Sequence, residues 1–341
     1  MASLRNVLAH GALLASATVL AIFELLFAPA IAQQSTTLQL VSTSWPPFTN
    51  AEGQPRFALD LVDEALGRIG ITATTTIVDA PQFTSSLLAG RFDGSGAAWK
   101  DPDRERALLF SEPYLENRLV LVGRYGSDVS FASLADLKSK RLAIVEGYSY
   151  GDEINREGPV FVRYRSEEDS LAALLKGDVE YTLMDELVVH YIVSQYPEQS
   201  RTRLRIASTA MLTRELHFAV ARARPDAESI ITRFNAQLRG MLADRTYHRL
   251  LHVEWIRGDV DGDGVPEYVP MTDRLGPAEP QHVYTLFSPR ETVAPRPAQS
   301  GFYLGGTIYS DWASVPDSYK DVNPDPPDPR RSTASIFTFA W

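Results

Sequence analysis

Residues 87–114, LLAGRFDGSGAAWKDPDRERALLFSEPY, constrain this chain more than any other stretch. The apolar pair Leu87 and Leu88 runs into Gly90, a helix stop. Residues 94–98 then offer almost no side chain, which suits a strand lying against a ligand or another backbone. A charged loop follows. It puts Arg104 just beyond the C-terminal end of that strand, where open α/β sheets bind ligands.

The same alternation of strand and helix recurs along the chain. Residues 38–43 read as a strand, broken by the loop Trp45-Pro46-Pro47-Phe48. Residues 57–69 carry a helical apolar stripe that ends at Gly70, and residues 71–78 read as the next strand. A second set follows: strands at 141–145, 160–164 and 181–184, with helices at 166–176 and from 186 to about 194. Residues 119–122 and 216–220 flank that set. They are candidates for two crossings, because a lobe inserted into another needs two. Residues 226–243 place Ile230, Phe234, Leu238 and Met241 on one helix face. Repeated strand–helix alternation predicts an α/β fold with a largely parallel sheet.

A formal net charge of -10 argues against nucleic acid as a main partner, and the absence of cysteine removes disulfides and thiol nucleophiles. Residues 1–32 read as a signal peptide: Arg5, a mostly apolar run from about residue 12 to 27, and the small-x-small site Ala30-Ile31-Ala32 before Gln33. Glu24 and Pro29 spoil a spanning helix, and no cysteine offers a lipid anchor. The expected protein is exported to the periplasm, is not a lipoprotein and is a monomer.

Arg104 followed by Phe110-Ser111-Glu112-Pro113-Tyr114 resembles the type II periplasmic solute-binding proteins, specifically the polar-amino-acid-binding family of ABC transporters. There the strand leads into a Thr-x-x-Arg loop and then Phe-Ser-x-Pro-Tyr. Asp101 stands here in the place of the Thr. The resemblance covers roughly residues 38–255, and residues 247–255 look like the family's short terminal helix ending in Trp255. It implies a two-lobed α/β fold, each lobe a mostly parallel sheet flanked by helices, with two hinge crossings. Residues 33–122 and 216–257 would form lobe 1, and residues 123–215 lobe 2. Residues 258–341 would be a Ca-loop-like linker and an irregular C-terminal extension.

The resemblance also implies a site. Arg104 would pair with a ligand α-carboxylate, as a guanidinium fork can. Ser149, in the turn Gly147-Tyr148-Ser149 at a helix start, would add its hydroxyl and neighbouring N–H groups. Asp185 would accept the ligand ammonium, or cap the helix beginning at Glu186, or both. Trp45 would stack on the ligand. Trp99 and Asp101 depart from the family pattern. Trp99 would shrink the pocket or add a stacking face; Asp101 would weaken the potential around Arg104 or bind a basic group. The implied function is capture of a small polar, amino-acid-like ligand for an inner-membrane ABC permease. A periplasmic sensor with the same ligand-gated closure is an alternative, and a dehydratase-like enzyme with Asp101 as acid or base a weaker one. No cofactor is required.

Residues 259–267 form a separate pattern. Asp259, Asp261 and Asp263 alternate, with the Val265 carbonyl and Glu267 completing a Ca²⁺-loop spacing that lacks the bidentate Glu at the twelfth position. A structural Ca²⁺ is the expectation, against a solvated acidic turn. His248 and His252 are four apart but lack any companion metal motif, so they read as core or surface. The tail ends in an alternating aromatic run at residues 335–341, a candidate packing or docking strand.

Overall fold

The computed structural model describes residues 36–155, 158–251, 254–275, 279, 284–285 and 301–320. The leader, His252 and the run at 335–341 lie outside the described residues. No helix among those described is long and apolar enough to cross a membrane.

Strand β1 (Thr36–Thr43) leads to α1 (Phe57–Arg68), whose buried face is Phe57, Ala58, Leu59, Leu61, Val62, Ala65 and Leu66. That is the 3.6-residue stripe the sequence carries. Then come β2 (Ile71–Val78), α2 (Ala80–Leu88), β3 (Gly94–Trp99), α3 (Pro102–Ala107) and β4 (Leu108–Phe110). The chain crosses on β5 (Leu115–Arg124) into β6 (Arg141–Val145), β7 (Val160–Tyr164), α4 (Glu167–Lys176), β8 (Tyr181–Asp185), α5 (Glu186–Gln195) and α6 (Pro197–Arg203). It returns on β9 (Leu204–Ala221) to α7 (Ala227–Ala243) and α8 (Thr246–Leu251).

Among the described residues nine strands form one sheet, in the order β2-β1-β3-β9-β5-β8-β6-β7 with β4 also on β9. The β1–β3, β6–β7 and β6–β8 pairs are parallel. The middle is antiparallel: β9 pairs β3 and β4 at one end and β5 at the other, and β5 pairs β8. A chain that leaves one lobe and comes back must run both ways, so the crossing strands cannot be parallel. Gly94 is where β3 and β9 touch: a Cβ there would lie 2.0 Å from the Ala219 carbonyl oxygen. The small residues of β3 therefore serve backbone contact, one of the two readings their size allows.

Three elements differ from the sequence reading. Arg104 is not on a loop but in α3, capped by Asp101. Residues 147–150 do not start an α-helix; a short 3₁₀ turn at Asp152–Asn155 follows them. Trp255 does not close a terminal helix. It opens β10 (Trp255–Gly258), which pairs with β11 (Glu267–Pro270).

The C-terminal extension is not irregular in its described part. β12 (Tyr284–Thr285), β13 (Phe302–Leu304) and β14 (Thr307–Tyr309) join β10 and β11 in a five-stranded sheet. The β13–β14 hairpin turns at Gly305 and Gly306, both at positive φ, the geometry a two-residue turn favours. Leu275, Phe302, Leu304 and Val315 form its own small core.

Candidate functional site

The site gathers where β3 ends. Pro102 opens α3, and the Asp101 carboxylate caps it, Oδ1 accepting the Arg104 N–H at 2.8 Å. That cap sets Arg104 pointing inward, only 2% exposed. Its Nη1 donates to the Trp99 carbonyl at 2.9 Å. Its Nη2 donates to Thr84 Oγ1 at 2.7 Å and to the Gly147 carbonyl, on the facing lobe, at 3.1 Å. Nε lies 3.3 Å from Asp101 Oδ2. Burial lowers the Arg104 guanidinium to about 10 despite the opposing pull of Asp101.

Asp101 Oδ2 also accepts the Ser149 hydroxyl from the facing lobe. Burial would raise the Asp101 carboxyl, but the Ser149 hydroxyl, the Arg104 N–H and the Arg104 charge outweigh it and hold it below the usual range. Asp101, Arg104 and Ser149 are thus one bonded group spanning both lobes.

Aromatic rings complete the contact. Trp45 stacks on Phe48, centroids 4.4 Å apart, and meets Trp99 edge-on at 5.6 Å. Tyr148 from the other lobe packs on Trp45 at 5.8 Å and on Trp99 at 5.5 Å, and Tyr150 packs on Trp99 at 5.6 Å. Four of the six sequence-selected ligand residues, Trp45, Trp99, Arg104 and Ser149, line a single cavity of about 30 Å³. A fifth, Asp101, bonds two of them. That volume is about one water molecule's share of liquid.

Asp185 is not on that cavity. It is fully buried at the end of β8, where it caps α5 by accepting the Leu187 N–H at 2.7 Å. Its other oxygen accepts from Asn117 Nδ2 at 3.1 Å, and Asn117 Oδ1 accepts the Trp99 indole N–H at 2.7 Å. Burial raises the Asp185 carboxyl to about 7. Arg104 and Asp185 therefore do not face one another across an open gap; a Trp99–Asn117 relay stands between their surroundings.

Sequence reasoning missed Asn117, Thr84 and Tyr150 at this site. The signal for Asn117 was a polar residue at a buried position of the apolar strand β5. Residues 147–151 also spell Gly-x-Ser-x-Gly, the run found in nucleophile elbows. Ser149 donates directly to a carboxylate here, with no imidazole in the hydrogen bond to act as base.

The acidic loop has its own geometry. Carboxylate oxygens of Asp259, Asp261 and Glu267 lie within 4.8 Å of one another. Asp263 is outside that group, its carboxylate accepting the Val265 N–H at 2.7 Å. Glu267, 3% exposed, is raised to about 7 by burial and by Asp261, Asp263 and Asp259. His248 is core, its Nε2 bonded to the Val269 carbonyl at 2.8 Å.

Residues 39–257 match the bacterial extracellular solute-binding proteins, family 3. Two curated relatives from Escherichia coli (strain K12) are similar. ABC transporter arginine-binding protein 1 is 24% identical over 62% of this chain and 86% of its own length. Putative ABC transporter arginine-binding protein 2 is 23% identical over 63% and 88%. Among solved structures, an ancestral arginine-binding protein bound to arginine superposes with a TM-score of 0.54, at 22% identity, over 63% of this chain and 96% of its own. The GluR0 ligand-binding core in complex with L-glutamate gives 0.54 at 17% identity, over 64% and 99%. At these identities the structural likeness establishes the two-lobed fold.

Proposed function

Because the chain belongs to family 3 of the bacterial extracellular solute-binding proteins, we propose that it is an exported binding protein that captures a small polar, amino-acid-like solute between its lobes for an inner-membrane ABC permease. The observation that carries this reading is the bonded group across the lobes: Arg104 and Asp101 on one side, Gly147 and Ser149 on the other. A solute that contacts both sides stabilises the lobes-together state over an open one, which is the physical basis of a transport signal. The two Escherichia coli relatives bear arginine-binding names, which favours a ligand with a cationic nitrogen. A thermal-shift panel of amino acids, amines and small carboxylates tests the reading, with true binders raising the melting temperature. Small-angle scattering with and without the best binder reads closure. Silence across the panel and an unchanged scattering profile would sink it.

The acidic loop is a structural Ca²⁺ site on the same reading. Support comes from the three clustered carboxylates, hard oxygen donors suited to that ion. Its role would be to fix the turn between β10 and β11.

A further inference from the structure

The guanidinium and hydroxyl donors that an α-carboxylate would compete for here already make hydrogen bonds within the chain. Arg104 spends Nη1 and Nη2 on Trp99, Thr84 and Gly147, and its Nε faces Asp101. The Ser149 hydroxyl and the Arg104 N–H both go to the Asp101 carboxylate. A free carboxylate entering here would meet a fixed one, 21% exposed and held between both lobes. Like charges at contact distance are repelled, and the cavity of about 30 Å³ leaves no room beside them.

A second cavity adjoins the first, with Trp45 in the walls of both. It measures about 370 Å³, within the range of about 300–1,000 Å³ typical of ligand sites. Its walls are mostly apolar, from Pro46 and Trp45 on one lobe and Leu171, Tyr191 and Ile192 on the other. Two acids line it, the exposed Glu168 and the buried Glu167; Glu167, the first residue of α4, is 7% exposed, and its Oε2 has no hydrogen-bond partner among the described residues. The Trp45 indole N–H is likewise buried without a hydrogen-bond partner, and among the described residues no cation pairs with Glu167. Burial, then the nearby carboxyls of Asp185 and Glu168, push Glu167 well above the usual carboxyl range. A carboxyl buried beside a second one, in an apolar pocket with an aromatic face, is a group whose ionised form an ammonium stabilises.

From these two observations we infer that the solute is an organic amine with an apolar body and no carboxylate, seated in the larger cavity with Glu167 as its counter-ion, while Asp101 excludes free carboxylates from Arg104. The inference rests on the solute-capture reading above and names the ligand class of that cleft. Asp101 is then a specificity-determining residue that acts by occupying the carboxylate anchors.

Calorimetric titration of the full exported chain with matched pairs tests this: tryptamine against tryptophan, and agmatine against arginine. Wild type binds at least one amine about tenfold or more tighter than its amino acid. Glu167→Gln, which keeps the shape, weakens that amine by about tenfold to a hundredfold, the size of a charge-assisted bond. Asp101→Thr keeps a capping hydroxyl for α3 and removes the charge, so the amino acid gains about tenfold or more. Asp101→Asn serves in its place if that variant does not fold. Amino acids binding as tightly as their amines in wild type, no binding of either amine, or amine affinity indifferent to Glu167→Gln would each overturn the inference. Binding of some other panel solute in those cases leaves solute capture standing; a silent panel removes both.

Discussion

The Trp99 indole N–H donates to Asn117 Oδ1 at 2.7 Å, and through it one lobe's wall is tied to a strand shared by both. Asn117 is fully buried and passes its own amide N–H on to Asp185 at 3.1 Å. Asn117→Ala would strand the indole N–H and remove a donor from Asp185. Leaving a buried polar group unsatisfied costs about 1–3 kcal/mol, so the expected loss in unfolding free energy is about 2–5 kcal/mol. Urea denaturation reads it directly. A loss below about 1 kcal/mol would mean water replaces the relay at little cost.

Asp185 predicts a pH dependence. Its carboxyl is raised from 3.8 to about 7 in the folded chain, so the folded state holds a proton that the unfolded state releases. That contribution is fully present below about pH 4 and is lost as pH rises through about 7. Its size is of order 4 kcal/mol. Ligand-free protein should therefore unfold at higher urea at pH 5 than at pH 8, and Asp185→Asn should flatten that slope while retaining a capping side chain for α5. An equal slope in the variant would assign the effect to other groups.

Calcium should raise the melting temperature of the full chain, and a chelator should reverse it. Saturating ion at about a hundred times its dissociation constant is worth about 2.7 kcal/mol. Glu267 is raised to about 7 without the ion, and the ion needs the carboxylate deprotonated, so the calcium effect should grow from pH 6 to pH 8. Glu267→Gln should abolish it. A calcium-independent melting curve at pH 8 would leave the loop a plain acidic turn.

Gly147 sits at φ +82°, and a Cβ there would lie 2.9 Å from the Ala80 carbonyl oxygen on the facing lobe. Gly147→Ala therefore carries left-handed backbone strain of about 1–2 kcal/mol and a steric clash across the cleft. The expected result is a lower melting temperature and a larger radius of gyration for the ligand-free protein. An unchanged radius would mean the strain relaxes within the turn.

Local pattern carried most of the fold. The stripe of α1 and the apolar runs of β5 and β9 are written in consecutive residues, as is the Gly-rich strand β3. The site was legible where one side chain's place follows from its own segment, as with Arg104 beyond β3. It was not legible where the partner is remote in sequence. Asp101 and Ser149 are 48 residues apart, and Asn117 and Asp185 are 68 apart. The cap that Asp101 makes on α3 is local to Asp101-Pro102, but its bond to Ser149 leaves no mark in that neighbourhood. The described strands of the tail were not legible for the same reason: β13 pairs with β11 more than thirty residues away, across a run rich in proline.

The two lobes do not divide the chain between them as separable pieces. β9 runs for 18 residues through both, closing β3 and β4 at one end and β5 at the other. A segment cut at either crossing would present raw sheet edges, open to pairing with other chains. During synthesis, β3 waits more than a hundred residues for the strand that completes it. Loop closure over that distance delays folding, so the first lobe is completed only after the second has been made.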